Sequence, residues 1–179
     1  MGYINHVSRL KILARAAEAV RLLNRSGFLA IVVSNQAGAA RGYFPTPLIE
    51  TVNELMKTSL ENMGARLDGI FCCPHHPRSL IPELRMDCDC RKPGTGLIDQ
   101  ACSRFEIDMS RSYVVGDRCD DIELARRCGI GGVLVKTGYG RGEAEYVLPT
   151  RAEKPVHIAE ELYDAVLWIL EKEKTGIPQ

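Results

Sequence analysis

Phe28-Leu29-Ala30-Ile31-Val32-Val33, followed by Ser34-Asn35-Gln36-Ala37-Gly38, decides how this chain folds. The apolar run is too short for a buried helix and lacks the alternation of a strand with one wet face. It predicts a strand buried on both faces, the kind found in parallel sheets. The small and polar residues after Val33 then form a loop at the strand's C-terminal end. Upstream, Leu10, Leu13, Ala16, Ala17, Val20 and Leu23 recur at helical spacing, an amphipathic helix over 8–25 that Gly27 ends.

The same alternation continues downstream. Thr46-Pro47 opens a helix, with threonine as cap and proline at the first helical position, and it runs to Gly64. Asp68 to Cys72 is a short strand, Thr95 to Phe105 a helix, and Ser112 to Gly116 a strand that delivers Asp117. Asp120 and Asp121 open the next helix, where negative charge suits the N-terminal dipole, and Gly129 closes it. Gly132 to Lys136 is a strand followed by the loop Thr137-Gly138-Tyr139-Gly140. A last helix runs from Ile158 through Leu162, Val166, Ile169 and Leu170, and the tail 172–179 has nothing to pack. Strands alternating with helices predict an α/β class fold, doubly wound around a mostly parallel sheet, as one domain spanning 1–179. In such folds ligands bind along the edge where the strands end.

Composition narrows the partners. Lys+Arg and Asp+Glu are both 23 in 179 residues, a formal net charge of zero, so no field of one sign favours a nucleic acid or an anionic membrane. No apolar run approaches a membrane span, and the N-terminus has no charged and apolar leader pattern. Seven cysteines are an odd number, and four of them (Cys72, Cys73, Cys88 and Cys90) cluster while Cys102, Cys119 and Cys128 are scattered, which fits a reducing cytoplasm better than a disulfide framework. A monomer acting on a small molecule is the expectation.

The cluster reads Cys73-Pro74-His75-His76 and, after a gap, Cys88-Asp89-Cys90-Arg91-Lys92-Pro93. A Cys-x-His and a Cys-x-Cys pair flanking one short loop can close a tetrahedron around zinc. The plainer alternative is a cysteine-rich surface loop with no metal. The last ligand runs directly into Arg91 and Lys92, so a metal loop here would hold two cations in place.

The strand ends supply complementary groups: the Ser34 hydroxyl, the Asn35 and Gln36 amides, and the Asp117 carboxylate beside Arg118. A hydroxyl with a lysine and backbone N–H groups suits phosphoryl oxygens, whose transfer is catalysed mostly by positioning and charge stabilisation. A carboxylate suits magnesium, a hard cation. Each piece has a bland reading: Ser34-Asn35 as a turn, Asp117 as a helix cap, Lys92 as a solvated lysine. The three strand ends together favour the chemical one.

Val32-Val33-Ser34-Asn35-Gln36-Ala37-Gly38, Ala40-Arg41-Gly42, Cys73-Pro74-His75-His76-Pro77, Cys88-Asp89-Cys90-Arg91-Lys92-Pro93 and Tyr113-Val114-Val115-Gly116-Asp117 occur in that order. This resembles the haloacid dehalogenase-like phosphatases, in the subgroup of the heptose bisphosphate and histidinol-phosphate phosphatases, over most of the chain. The resemblance implies a Rossmann-like core and hydrolysis of a sugar phosphate, first of all a D-glycero-D-manno-heptose 1,7-bisphosphate to the 1-phosphate. Histidinol phosphate or another small phosphomonoester is the alternative substrate. It implies that Ser34 orients the phosphoryl group, with Asn35, Gln36 and Ala37 beside it, and that Lys92 stabilises its charge. Arg91 would recognise the sugar phosphate, Arg118 would lie near the substrate, and Asp117 would bind magnesium. Cys73, His75, Cys88 and Cys90 would hold a structural zinc.

One departure matters. The family opens with a central strand ending in Asp-x-Asp-Gly-Thr, whose first aspartate attacks phosphorus and whose second is the general acid and base, and this sequence contains no such motif. Gly2-Tyr3-Ile4 is similar to a segment downstream of it, so relative to the family the chain is expected to be truncated and its first, central strand missing. Two strand edges would then be exposed or would pair directly. No turnover is expected from these residues alone, and a non-catalytic member that binds a sugar phosphate or a partner is the other reading.

Overall fold

The computed structural model describes residues 2–175, which divide into two compact units: residues 2–91 with 96–101, and residues 92–95 with 102–175. In the first, helix α1 (Ala16–Arg25) leads through Gly27, at φ +80°, to strand β1 (Ile31–Asn35). A four-residue turn of helix α2 (Ala37–Ala40) follows, then α3 (Pro47–Asn62) and strand β2 (Gly69–Cys73). β1 and β2 are parallel, with Ile31 opposite Gly69 and Asn35 opposite Cys73. Ala17, Val20, Ala30, Leu60, Ala65 and Leu67 form the core beneath them, joined by Ile12, Val32, Met56 and Ile70. A second cluster of Ala39, Ala40, Phe44, Ile49 and Leu84 packs with Tyr3, Leu48, Cys72 and Ile81.

Helix α4 (Gly96–Arg104) begins in the first unit. In the second, strand β3 (Tyr113–Gly116) and helix α5 (Cys119–Arg127) precede strand β4 (Gly131–Val135). A short helix α6 (Gly140–Gly142), strand β5 (His157–Ala159) and helix α7 (Leu162–Thr175) complete it. β3, β4 and β5 are all parallel in that order. β4 is buried along its whole length, and Cys119, Ile122, Leu134 and Leu148 close the core around it.

The α/β class and the parallel pairing stand as expected, with differences of detail. The sheet is present as two, because β1 pairs with β2 alone and β3 with β4 alone among the described residues. β1 is accordingly half-buried along its length, not covered on both faces, and it includes Ser34 and Asn35, which were expected in a loop. The first helix starts eight residues late: Arg15 takes a left-handed φ of 59°, and a short 3-10 turn occupies Val7–Arg9. Ile12 packs against the core there while Leu13, expected on the buried face, is exposed, so the helical spacing does not hold before Ala16. Ile158 lies in β5 rather than in the last helix, which starts at Leu162. That helix continues to Thr175 and so takes up the start of the expected tail, while 176–179 lie outside the described residues.

Candidate functional site

The Cys/His quartet forms where β2 ends. Cys73 is its last residue and has no solvent exposure, and its carbonyl accepts the Gln36 N–H at 2.7 Å. The loop between the two ligand pairs is braced within itself and tied to the rest of the unit at the Ala40 carbonyl. His76 N–H donates to the Leu84 carbonyl and Leu80 N–H to the Ala40 carbonyl, while the buried Ser79 hydroxyl donates to Ala40 and Ile81 carbonyls.

Those ties bring Cys73, His75, Cys88 and Cys90 together, with their ligand atoms all within 4.8 Å of one another. Sγ of Cys90 lies 3.0 Å from both Cys73 and Cys88, Cys73 to Cys88 is 3.5 Å, and His75 Nδ1 is 3.8 and 3.4 Å from Cys73 and Cys90. A tetrahedron with metal–sulfur bonds of about 2.3 Å has edges of about 3.8 Å, whereas a disulfide needs about 2.05 Å. The four side chains are therefore arranged as a slightly contracted ligand set, and all seven cysteines are free thiols.

Charge supports the same reading. Burial pushes the Cys73 and Cys90 thiols up, and for Cys90 the neighbouring Cys73 and Cys88 sulfurs add to it. For Cys88 burial acts upward too, but hydrogen bonds from the Cys90 and Cys73 thiols outweigh it and its pKa falls. Three sulfurs this close do not all ionise without a cation among them, and a bound metal supplies that cation as the thiols lose their protons. The residues present fit a metal ion.

Gly96 completes the cradle. A Cβ there would sit 2.9 Å from the Asp89 carbonyl carbon and from the Cys90 nitrogen, both backbone atoms that cannot turn aside. Its own N–H donates to the Asp89 carbonyl at 2.9 Å. Gly96→Ala is expected to cost about 1–3 kcal/mol and to lower metal retention during dialysis against a chelator, read by elemental analysis and thermal melting. A variant that melts and holds metal like the parent would show that the loop yields freely.

Arg91 leaves the quartet with its guanidinium donating to the His75 carbonyl at 3.3 Å. It lines a pocket of about 660 Å³ together with Arg41, Arg78, His76 and Tyr43. The His76 imidazole is pushed down by burial and then by the charges of Arg91, Arg41 and Arg78. A basic pocket of this kind selects anions. Sequence reasoning assigned only Arg91 to it, because the other cations come from separate loops with no spacing in common. Ser34 and Asn35 end β1, Gln36 caps α2 and donates to the Ser34 hydroxyl at 3.0 Å, and Ala37 begins α2, buried.

The second unit carries Lys92, Asp117 and Arg118. Lys92 Nζ lies 2.7 Å from Asp121 Oδ1, with side-chain exposures of 15% and 7%. The other Asp121 oxygen accepts the Arg118 N–H at 3.1 Å, at the start of α5. Asp117 follows β3, and its Oδ2 accepts the Tyr139 N–H at 2.8 Å. Burial and then the Glu143 carboxylate raise the Cys119 thiol to about 11, so it is inert as a nucleophile at neutral pH. Asp121 was expected only as a helix-opening charge, and its pairing with Lys92 has no local signal.

Residues 89–165 match the HAD-hydrolase-like family model. The D-glycero-beta-D-manno-heptose-1,7-bisphosphate 7-phosphatase of Escherichia coli K12 is 39% identical over 160 residues, covering 86% of this chain and 84% of that protein. The chain belongs to this heptose bisphosphate phosphatase family. Among solved structures, the family member from B. bronchiseptica, described as D,D-heptose 1.7-bisphosphate phosphatase complexed with magnesium and phosphate, superposes with a TM-score of 0.81. It is 27% identical and covers 95% of this chain and 89% of that one. The corresponding enzyme from Burkholderia thailandensis gives a TM-score of 0.67 at 25% identity, over 96% and 94% of the two chains. Membership in this phosphatase family accounts for the haloacid dehalogenase-like α/β fold. Among the described residues of this family member, no helix is long and apolar enough to cross a membrane.

Proposed function

We propose that this chain takes D-glycero-β-D-manno-heptose 1,7-bisphosphate as its ligand and is built for release of the phosphate at carbon 7. The observation that carries this is the 39% identity, over most of both chains, to a protein named for that reaction. Ser34 then orients the phosphoryl group with Asn35, Gln36 and Ala37 beside it, and Lys92 meets its negative charge. Arg91 faces the sugar phosphate, and the basic pocket it shares with Arg41 and Arg78 supports that role. Arg118 lies toward the substrate. Magnesium bound at Asp117 would neutralise phosphoryl charge, as an oxygen-preferring ion does. Zinc is the metal best suited to three thiolates and an imidazole, and its role at Cys73, His75, Cys88 and Cys90 is structural. A small sugar phosphate substrate, free thiols and a thiolate metal site fit a cytoplasmic monomer.

Hydrolysis by these residues lacks one component. No Asp-x-Asp-Gly-Thr occurs in the 179 residues, and Asp120 and Asp121 stand in the first turn of α5 rather than at a strand tip. The expected result is calorimetric binding of the heptose bisphosphate with no phosphate release. Release should appear when the chain is extended by a segment bearing that motif. Turnover by the chain alone would overturn the assignment of roles, and absence of binding would overturn the substrate.

A further inference from the structure

Arg118 is exposed enough to swing freely, with 46% of its side chain accessible, yet it is held on two sides. Its guanidinium carbon lies 3.9 Å from the centre of the Tyr139 ring, in cation–π range. Its Nη1 lies 3.8 Å from Glu143 Oε1, and the other oxygen of Glu143 accepts the Cys119 N–H at 2.9 Å. Glu143 thus caps α5 while flanking the arginine that precedes it. Tyr139 is fixed in turn, because its backbone N–H is held by Asp117 Oδ2. The preceding residue, Gly138, takes φ +60°, and any Cβ there would collide with the Asp117 carboxylate. The turn 138–139 therefore touches Asp117 through its backbone and Arg118 through its ring.

We infer that Tyr139 and Glu143 are positioning residues that hold Arg118 in one orientation for the sugar phosphate, so that ligand binding does not have to order it. The inference rests on the proposed role of Arg118 toward the substrate. Ordering a long side chain on binding weakens affinity about three- to tenfold, and the ring and carboxylate remove that loss beforehand. Phenylalanine keeps the ring and leucine does not, so the two substitutions separate the ring's contribution from bulk.

The test is calorimetry with D-glycero-β-D-manno-heptose 1,7-bisphosphate, alongside the NMR resonance of the Arg118 Nε–Hε group. Tyr139→Phe is expected to bind like the parent and Tyr139→Leu about three- to tenfold more weakly. In an Arg118→Ala background, Tyr139→Leu should have no further effect, because the ring acts through the guanidinium. An equal loss in both backgrounds, or no loss in either, overturns the inference. If the parent itself binds no heptose bisphosphate, the functional reading fails and the resonance decides the clamp. A shift in Tyr139→Leu but not in Tyr139→Phe upholds it, and an unmoved resonance in both overturns it.

Discussion

Cys88→Ala is expected to reduce bound metal from about one equivalent to a small fraction of that and to loosen the segment from Leu84 to Arg91. The Cys88 sulfur lies 3.0 Å from Cys90 and 3.5 Å from Cys73, so it is one vertex of the quartet and no other thiol replaces it. Cys72, the nearest in sequence to Cys73, is engaged elsewhere, its sulfur accepting from Asn53 Nδ2 at 3.4 Å. Binding of structural zinc contributes about 10–16 kcal/mol to folding in small zinc-finger peptides. Here β2 and the Ser79 contacts form part of the loop's support without metal, so the loss is expected locally. Elemental analysis reads the metal, and hydrogen exchange of the Arg91 amide, which donates to the Cys88 carbonyl at 3.4 Å, reads the loop. Cys102→Ala, at an exposed thiol outside the quartet, is the control. Metal content equal in the two variants would remove the quartet as the binding site. Arg91 joins the loop to the basic pocket, so the same variant should bind heptose bisphosphate more weakly.

The quartet was legible in the sequence because paired ligands flanking a short loop are a local pattern, and a metal demands that pattern. Strands and helices bounded by glycine were legible for a similar reason: Gly27, Gly64 and Gly129 all take positive φ at helix ends, where only glycine does so at little cost. What escaped was set by tertiary context. β5 is three residues long, and Ile158 within it falls in helical register with Leu162, Val166 and Ile169, so periodicity assigns it to the wrong element. Ser34 and Asn35 look like a loop by composition, yet ladder pairing with Cys72 and Cys73 keeps them in β1. The basic pocket draws Arg41, Arg78 and Arg91 from three separate loops. Tyr139 meets Arg118 across 21 positions (139 − 118). No spacing rule reaches such pairs, because the fold alone sets their distance.

Asp121→Ala is expected to destabilise the second unit more than any single loss from its apolar core. The carboxylate makes two contacts from one buried position: Lys92 Nζ at 2.7 Å and the Arg118 N–H at 3.1 Å. Removing one partner of a buried ion pair costs about 3–5 kcal/mol, and loss of a helix-capping acceptor adds about 1 kcal/mol. For a chain of this size each kcal/mol lowers the melting temperature by about 2–4 °C, so a fall of about 8–24 °C is expected. Asp121→Asn keeps an acceptor for the Arg118 N–H and loses only the charge, and it should fall between the parent and the alanine variant. Lys92→Met should be milder than Asp121→Ala. The remaining carboxylate keeps the Arg118 N–H and sits in the first turn of α5, where the helix dipole favours it. The double variant Lys92→Met, Asp121→Asn separates pairing from capping: it should recover part of the loss seen in Asp121→Asn, because a lysine with only 15% exposure no longer faces a neutral amide. Additive losses in that cycle, or an Asp121→Ala melt within a degree or two of the parent, would show that the pair contributes nothing to the fold. Gly116 carries the same dependence from the other side, since a Cβ there would collide with the Asp121 carboxylate. The strand end that delivers Asp117 and the lysine proposed to meet the phosphoryl charge thus converge on one aspartate, and a change there should disturb stability and ligand binding together.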